Sequence, residues 1–253
     1  MSAFTVSVRK EWLDQWRNYR LLILVVVLVL FGLISPFTAR YGPEMIKLLP
    51  NGEAMAKLMP PPTAADAVAQ FVKNISQFGV ILALLLTMGA VAQEKDKGTA
   101  AMMLVKPLPR RSFLLAKFAV LTAAFAVGIA LAALAAWYYT WLLFGPLPVL
   151  PWLALNGLIL VFVLVHVAVT LFFSVVARSQ AAAGGMALGV LMVLAIAGSI
   201  PVVGTWLPSR LPGWGAALMA GHPDPAWPAL GISAGIVIAA LAGAVAVFER
   251  QEL

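Results

Sequence analysis

The sequence predicts an all-α, polytopic membrane protein with six transmembrane helices and cytoplasmic N- and C-termini. Three observations lead there: a composition too apolar for water, six charge-free stretches of bilayer length, and a one-sided distribution of lysine and arginine. Of 253 residues, 62% are hydrophobic and 11% charged, with a mean hydropathy of +0.97, where a soluble domain carries roughly a quarter charged residues. So many long apolar runs cannot share one buried core, so residues 1–253 read as a single membrane-embedded unit. The net charge of +7 lies beside the apolar runs and not in a separate basic domain, which makes it a topology signal and not a nucleic-acid surface. With no cysteine, disulfides, thiolate metal ligands and cysteine nucleophiles are excluded.

Taken in order, residues 3–20 form an amphipathic helix with Phe4, Val8, Trp12, Trp16 and Tyr19 on one face and Lys10, Glu11, Asp14, Arg17 and Asn18 opposite. Such a helix lies along the cytoplasmic interface and turns into the bilayer near Tyr19 and Arg20. Arg9, Lys10, Glu11 and Asp14 precede an apolar run too long for a signal-peptide core, so this helix is expected to stay on the mature protein. Residues 21–39, 75–92, 118–144, 152–177, 181–203 and 229–248 are free of Asp, Glu, Lys and Arg and form the six spans. Their emptiness is expected, since one charge at a helix centre costs about 2.5–3.5 kcal/mol.

The connections follow from the spans. Residues 40–74 form an extracytoplasmic loop in which Pro43, Pro50, the Pro60-Pro61-Pro62 break and the Thr63-x-x-Asp66 capping-box pattern predict short interfacial helices. Residues 93–117 are cytoplasmic. Residues 204–228, with Pro208, Pro212, Pro223, Pro225 and Pro228, form an extracytoplasmic or re-entrant segment. On this topology twelve lysines and arginines face the cytoplasm and five face away, as the positive-inside rule requires. Trp137, Tyr138, Tyr139 and Trp141, late in the third span, form part of an aromatic belt.

The 93–117 connection carries the most information. It runs from Glu94, Lys95 and Lys97 through Gly98 and Thr99 to an apolar stretch holding Met102 and Met103, and then to Pro107, Arg110, Arg111 and Lys117. Thr99 can cap a short helix that Pro107 stops. A stiff apolar helix between charged flanks suits docking into the groove of another protein. A basic turn that merely obeys the positive-inside rule is the competing reading.

Glu94, Gly98-Thr99, the apolar stretch, Pro107, Arg110-Arg111 and Lys117 together resemble the E-(R/K)-x-x-G-T…P-x-(S/P)-R…K pattern of the ABC-2 type permease family, the membrane subunits of ABC transporters. The resemblance extends over the whole chain: an N-terminal elbow helix, six spans, the pattern after span two and a cytoplasmic C-terminus. It implies that Trp12, Trp16, Arg17 and Tyr19 belong to the elbow. It also implies that Glu94, Lys95, Lys97, Gly98, Thr99, Met102, Met103, Pro107, Arg110 and Arg111 form a coupling helix and its flanks. The same resemblance implies an exporter in the inner (cytoplasmic) cell membrane. It would be built from two permease copies, or this chain and a sibling, with two ATP-binding subunits. No G-x-x-x-x-G-K-[ST] loop exists here, so ATP and Mg are expected on the partner, this chain binding no cofactor and catalysing no reaction itself.

Other signals are weaker. His166 is the one ionisable group well inside a span, a possible polar site or a neutral histidine hydrogen-bonded within the bundle. Gly231-Ile232-Ser233-Ala234-Gly235 matches G-x-S-x-G formally but lacks the strand-turn-helix setting that activates a serine. Gly231, Gly235, Ala239 and Gly243, with Gly185 and Gly189, instead predict close helix packing. His222 and Asp224 are too few ligands for a metal. A stand-alone secondary transporter or channel is the alternative function, but it wants intramembrane carboxylates or broken helices at the midplane. An intramembrane enzyme would need a nucleophile paired with a base, or a metal cluster.

Overall fold

A computed structural model describes residues 3–48, 50–96, 109–222 and 224–251, and every regular element among them is helical. In chain order these are α1 (Ala3–Arg17), α2 (Arg20–Lys47), α3 (Gly52–Leu58), α4 (Ala64–Thr87), α5 (Ala92–Asp96) and α6 (Arg110–Phe144). They continue with α7 (Val149–Val176), α8 (Gln180–Gly198), α9 (Pro201–Gly204), α10 (Arg210–Met219) and α11 (Trp227–Arg250). Among the described residues, six stretches are long and apolar enough to cross a membrane: α2, α4 continued through α5, α6, α7, α8 and α11.

Each of the six stretches overlaps one charge-free window; α8 stops at Gly198, short of position 203, because the chain turns there into the separate short helix α9, and several other helices run further. α2 passes position 39 and continues to Lys47 across Pro36 and Pro43. α4 begins at Ala64, eleven residues before position 75, because the Thr63–Asp66 capping box starts it there: Asp66 Oδ2 accepts from Thr63 N at 2.8 Å, and Thr63 Oγ1 accepts from Asp66 N at 3.4 Å. Residues 40–74, expected as a loop with short helices, are thus largely helical. A charge-free window stops at the first charged residue, here Asp66 and Lys73, whereas backbone hydrogen bonding does not. α6 likewise begins at Arg110, so Lys117 lies two turns inside the helix. Between α8 and α11, the 204–228 segment folds into α10, whose Leu211, Pro212, Trp214 and Gly215 are buried.

Lipid tails are as apolar as leucine, so close fit and polar contacts hold such helices together. α7 is the centre of the bundle, packed by α4, α6, α8, α10 and α11, with Leu155, Ile159, Val163, Val167 and Leu171 fully buried. Against α2, α6 presents a smooth ridge at four-residue spacing: Ala124, Gly128, Ala132 and Ala136, all buried. A Cβ on Gly128 would lie 2.9 Å from Leu24 Cδ2, and one on Gly32 would lie 2.7 Å from the Ala132 carbonyl oxygen. Asn74 Nδ2 donates to Ser35 Oγ at 3.0 Å, a polar link between α4 and α2. Gly145, at φ 98°, makes the turn from α6 into the Pro146–Pro148 connection and α7.

The glycine ridge expected to pack in the last span does so within this chain only in part. Gly243 meets Phe172, but a Cβ on Gly231, Gly235, Gly185 or Gly189 would touch nothing within 4 Å. These positions are on the outside of the single chain. We therefore expect Gly32→Ala to destabilise the purified protein by about 1–3 kcal/mol through overpacking, while Gly231→Ala is neutral for the isolated chain; unfolding titrations in detergent compare the two.

Candidate functional site

The helices bring the ends of five elements to one basic end of the bundle, and the chemistry begins with α1. Its chain turns at Tyr19, which adopts φ 56°, before α2 starts at Arg20. The face α1 turns inward is polar: Ser7, Glu11 and Gln15, four residues apart, are buried. Its aromatic face is outward, with Trp16 and Tyr19 about two-thirds exposed (66% and 67%), as befits side chains that favour the headgroup region.

Glu11 meets Lys117 of α6. The Lys117 side chain is only 4% exposed; its Nζ lies 2.9 Å from Glu11 Oε2 and 2.8 Å from Glu94 Oε1, and 4.8 Å from the centre of the Phe113 ring. Lys10 lies 3.3 Å from Glu11 Oε1 and 3.8 Å from Glu94 Oε1. Among the described residues these two cations and two carboxylates form a junction joining α1, α5 and α6. Arg20 Nη2 adds a bond to Gln93 Oε1 at 3.3 Å. A crevice of about 250 Å³ beside the junction is lined by Lys10, Asp14, Arg20, Gln93 and Glu94 among others.

Glu94 is held in place by a break in span two. Helix α4 ends at Thr87 and α5 restarts at Ala92, and the backbone between them needs partners in an apolar setting. Ser174 of α7 supplies them: its Oγ donates to the Met88 carbonyl at 2.9 Å and accepts from Val91 N at 2.9 Å and Ala92 N at 3.0 Å.

The other flanking cations point elsewhere. Lys95 Nζ donates to the Val175 carbonyl, Arg110 Nη1 donates to the Phe248 carbonyl at 2.7 Å, and Arg111 Nε lies 2.6 Å from Glu249 Oε1. The resemblance implies ATPase coupling for all three; within the chain they hold the ends of α7 and α11. Lys97, Gly98, Thr99, Met102, Met103 and Pro107 lie outside the described residues. Arg17 is exposed in the last turn of α1. His166 is not part of this end: it is buried in α7, with Nδ1 2.8 Å from its own helix's Phe162 carbonyl. Ser233 Oγ donates to Ala229 O at 2.6 Å within α11, and Asp224 pairs with Arg210.

A family model described as "ABC-2 family transporter protein" matches residues 5–209, well over half of the chain. The chain belongs to the ABC-2 transporter family. An uncharacterized transmembrane protein of Bacillus subtilis (strain 168), YxlG, is 27% identical over 219 residues, covering 83% of this chain and 83% of that protein. Family membership makes this a membrane transporter subunit and implies an ABC ATP-binding partner. The matched residues include every member of the junction.

Within this ABC-2 chain, sequence reasoning missed Glu11, Lys117 as a buried group, and Ser174. Helical periodicity puts Glu11 on the solvent face of α1, and the charge-free window puts Lys117 at the end of a connection. The available signal was the Ser7-Glu11-Gln15 stripe together with a lysine directly before an apolar run, each needing the other. Breaking a buried pair by removing one partner costs about 3–5 kcal/mol, and a buried hydroxyl serving several backbone groups costs about 1–3 kcal/mol when deleted. Lys117→Met and Ser174→Ala are expected to lose stability by these amounts in unfolding titrations; values near zero for both would dissolve the junction.

Proposed function

We infer that this chain is the permease subunit of an ATP-driven exporter in the inner (cytoplasmic) cell membrane. Its basic end faces the cytoplasm, where the positive-inside rule puts it. It pairs with a second copy or a sibling permease, and the two work with two ABC ATP-binding subunits that carry ATP and Mg; this chain is itself no enzyme. The observation that carries the reading is the bridge from Lys117 Nζ to Glu11 of α1 and Glu94 of α5. It joins the elbow to both sides of the segment that the ATPase would contact, so a push on that segment reaches the interfacial helix and spans two and three together. The low burial of α8 and α11, 22% and 11% of their apolar windows, supports a second copy facing those spans.

Two measurements test this. A tagged chain expressed from its native gene cluster should bring down an ATP-binding protein, and its failure to do so removes the reading. Glu94→Gln should leave membrane insertion and partner binding intact while lowering ATP-driven transport at least tenfold; unchanged transport would take Glu94 out of the mechanism.

A further inference from the structure

The end of α11 is held by contacts that the junction does not use. The last carbonyls of a helix lack partners within it, and here Arg110, the first residue of α6, provides the donors. Its Nη1 lies 2.7 Å from Phe248 O, 3.1 Å from Glu249 O and 2.7 Å from Gln251 O, and its guanidinium carbon lies 5.8 Å from the Phe248 ring centre. A cation there also suits the negative end of the helix dipole. Arg111 pairs with Glu249. Gln251 extends the set to α7: its Nε2 donates to Val175 O at 3.1 Å, and its Oε1 accepts from Lys95 Nζ at 3.4 Å. Beneath these bonds the Phe113 and Phe248 rings stack with centres 5.7 Å apart, among buried Leu114, Leu171, Val175 and Ala244.

Lys95 precedes residues 97–108, and Arg110 and Arg111 follow them. The flanks of the coupling segment thus reach the ends of α7 and α11, Lys95 through the Val175 carbonyl and the Gln251 side chain, Arg110 and Arg111 through Phe248 and Glu249. Helix α11 also packs along α7, where Gly243 meets Phe172, but its apolar window is the least buried of the six. Next to the clamp α6 and α11 part, leaving an open groove of about 480 Å³ lined by Arg111, Leu115, Ile238, Leu241, Val245 and Glu249. We propose that Lys95, Arg110 and Arg111 are positioning residues that make the end of span six part of the coupling segment. Displacement of residues 93–117 then carries the ends of spans four and six with it. The inference rests on the exporter reading for the source of the motion; the clamp itself does not.

The chain lacks cysteine, so a reversible bridge is available. In lipid nanodiscs, Arg110→Ala should speed hydrogen exchange of the amides at 245–251 at least tenfold while those at 124–136 stay unchanged. Adding Arg111→Cys and Glu249→Cys should restore slow exchange on oxidation and lose it on reduction. In the complex with the copurified ATPase, Arg110→Ala should lower ATP turnover at least fivefold, and oxidation of the cysteine pair should return it to within twofold. If Arg110→Ala does not purify, Arg110→Lys, which keeps the charge but loses the planar fork, should show at least a threefold effect on both readouts. Unchanged exchange, or cysteines that fail to bridge, overturns the clamp. Altered exchange with unaltered turnover reduces it to a helix cap and overturns the mechanical role. A preparation without any ATP-binding protein is a failure of the exporter reading, seen before any variant is made, and exchange alone then decides the clamp.

Discussion

A lysine ammonium withdrawn from water must find negative partners or lose its charge. Lys117 meets that requirement with two carboxylates from different parts of the chain, Glu11 from the interfacial helix and Glu94 from the end of span two. The geometry of the basic end follows from satisfying it. α1 must turn its polar stripe inward, which is why its aromatic face remains for the headgroup region. Span two must break and restart so that Glu94 reaches across, and the break needs Ser174 to take up the freed backbone groups. One buried cation thus ties the interfacial helix to the ends of spans two and three.

The two kinds of surface on this ABC-2 chain differ accordingly. At the basic end, polar groups on α1, α5, α6, α7 and α11 find partners in neighbouring helices. Along α8 and the outer face of α11, a Cβ added at Gly185, Gly189, Gly231 or Gly235 would meet nothing within 4 Å among the described residues, so these faces take whatever the membrane provides. This division suits the proposed subunit, which receives force at one end and shares its pathway with another permease along its sides.

Much of this was legible in the sequence, for identifiable reasons. Long charge-free runs must be helices in a bilayer, so the six spans could be placed, and Thr63-x-x-Asp66 specified a helix start that the structure reproduces. What escaped was pairing over long sequence distance. The Ser7-Glu11-Gln15 stripe sets Glu11 apart from Asp14 on α1 but names no partner; Glu11 is buried against Lys117, 106 residues away, and Asp14 is exposed. The same holds for packing: Gly32 and Gly128 are unremarkable in their own spans, and only the approach of α2 to α6 gives them a role. The ridge at Gly231 was visible as a pattern, but a pattern does not say whether the facing surface lies in the same chain. The cations Lys95, Arg110 and Arg111 were recognised as belonging to the coupling region, while their grip on α7 and α11 needed the fold.

The dependence of the basic end on the Lys117 bridge is tested most directly by a double-mutant cycle. Unfolding free energies would be measured in detergent for the parent chain, Glu11→Gln, Lys117→Met and the double variant. A buried, directly paired set predicts a coupling energy of at least about 1.5 kcal/mol between the two positions, within the range found for contacting residues. Additivity to within about 0.3 kcal/mol, as for independent sites, would contradict it.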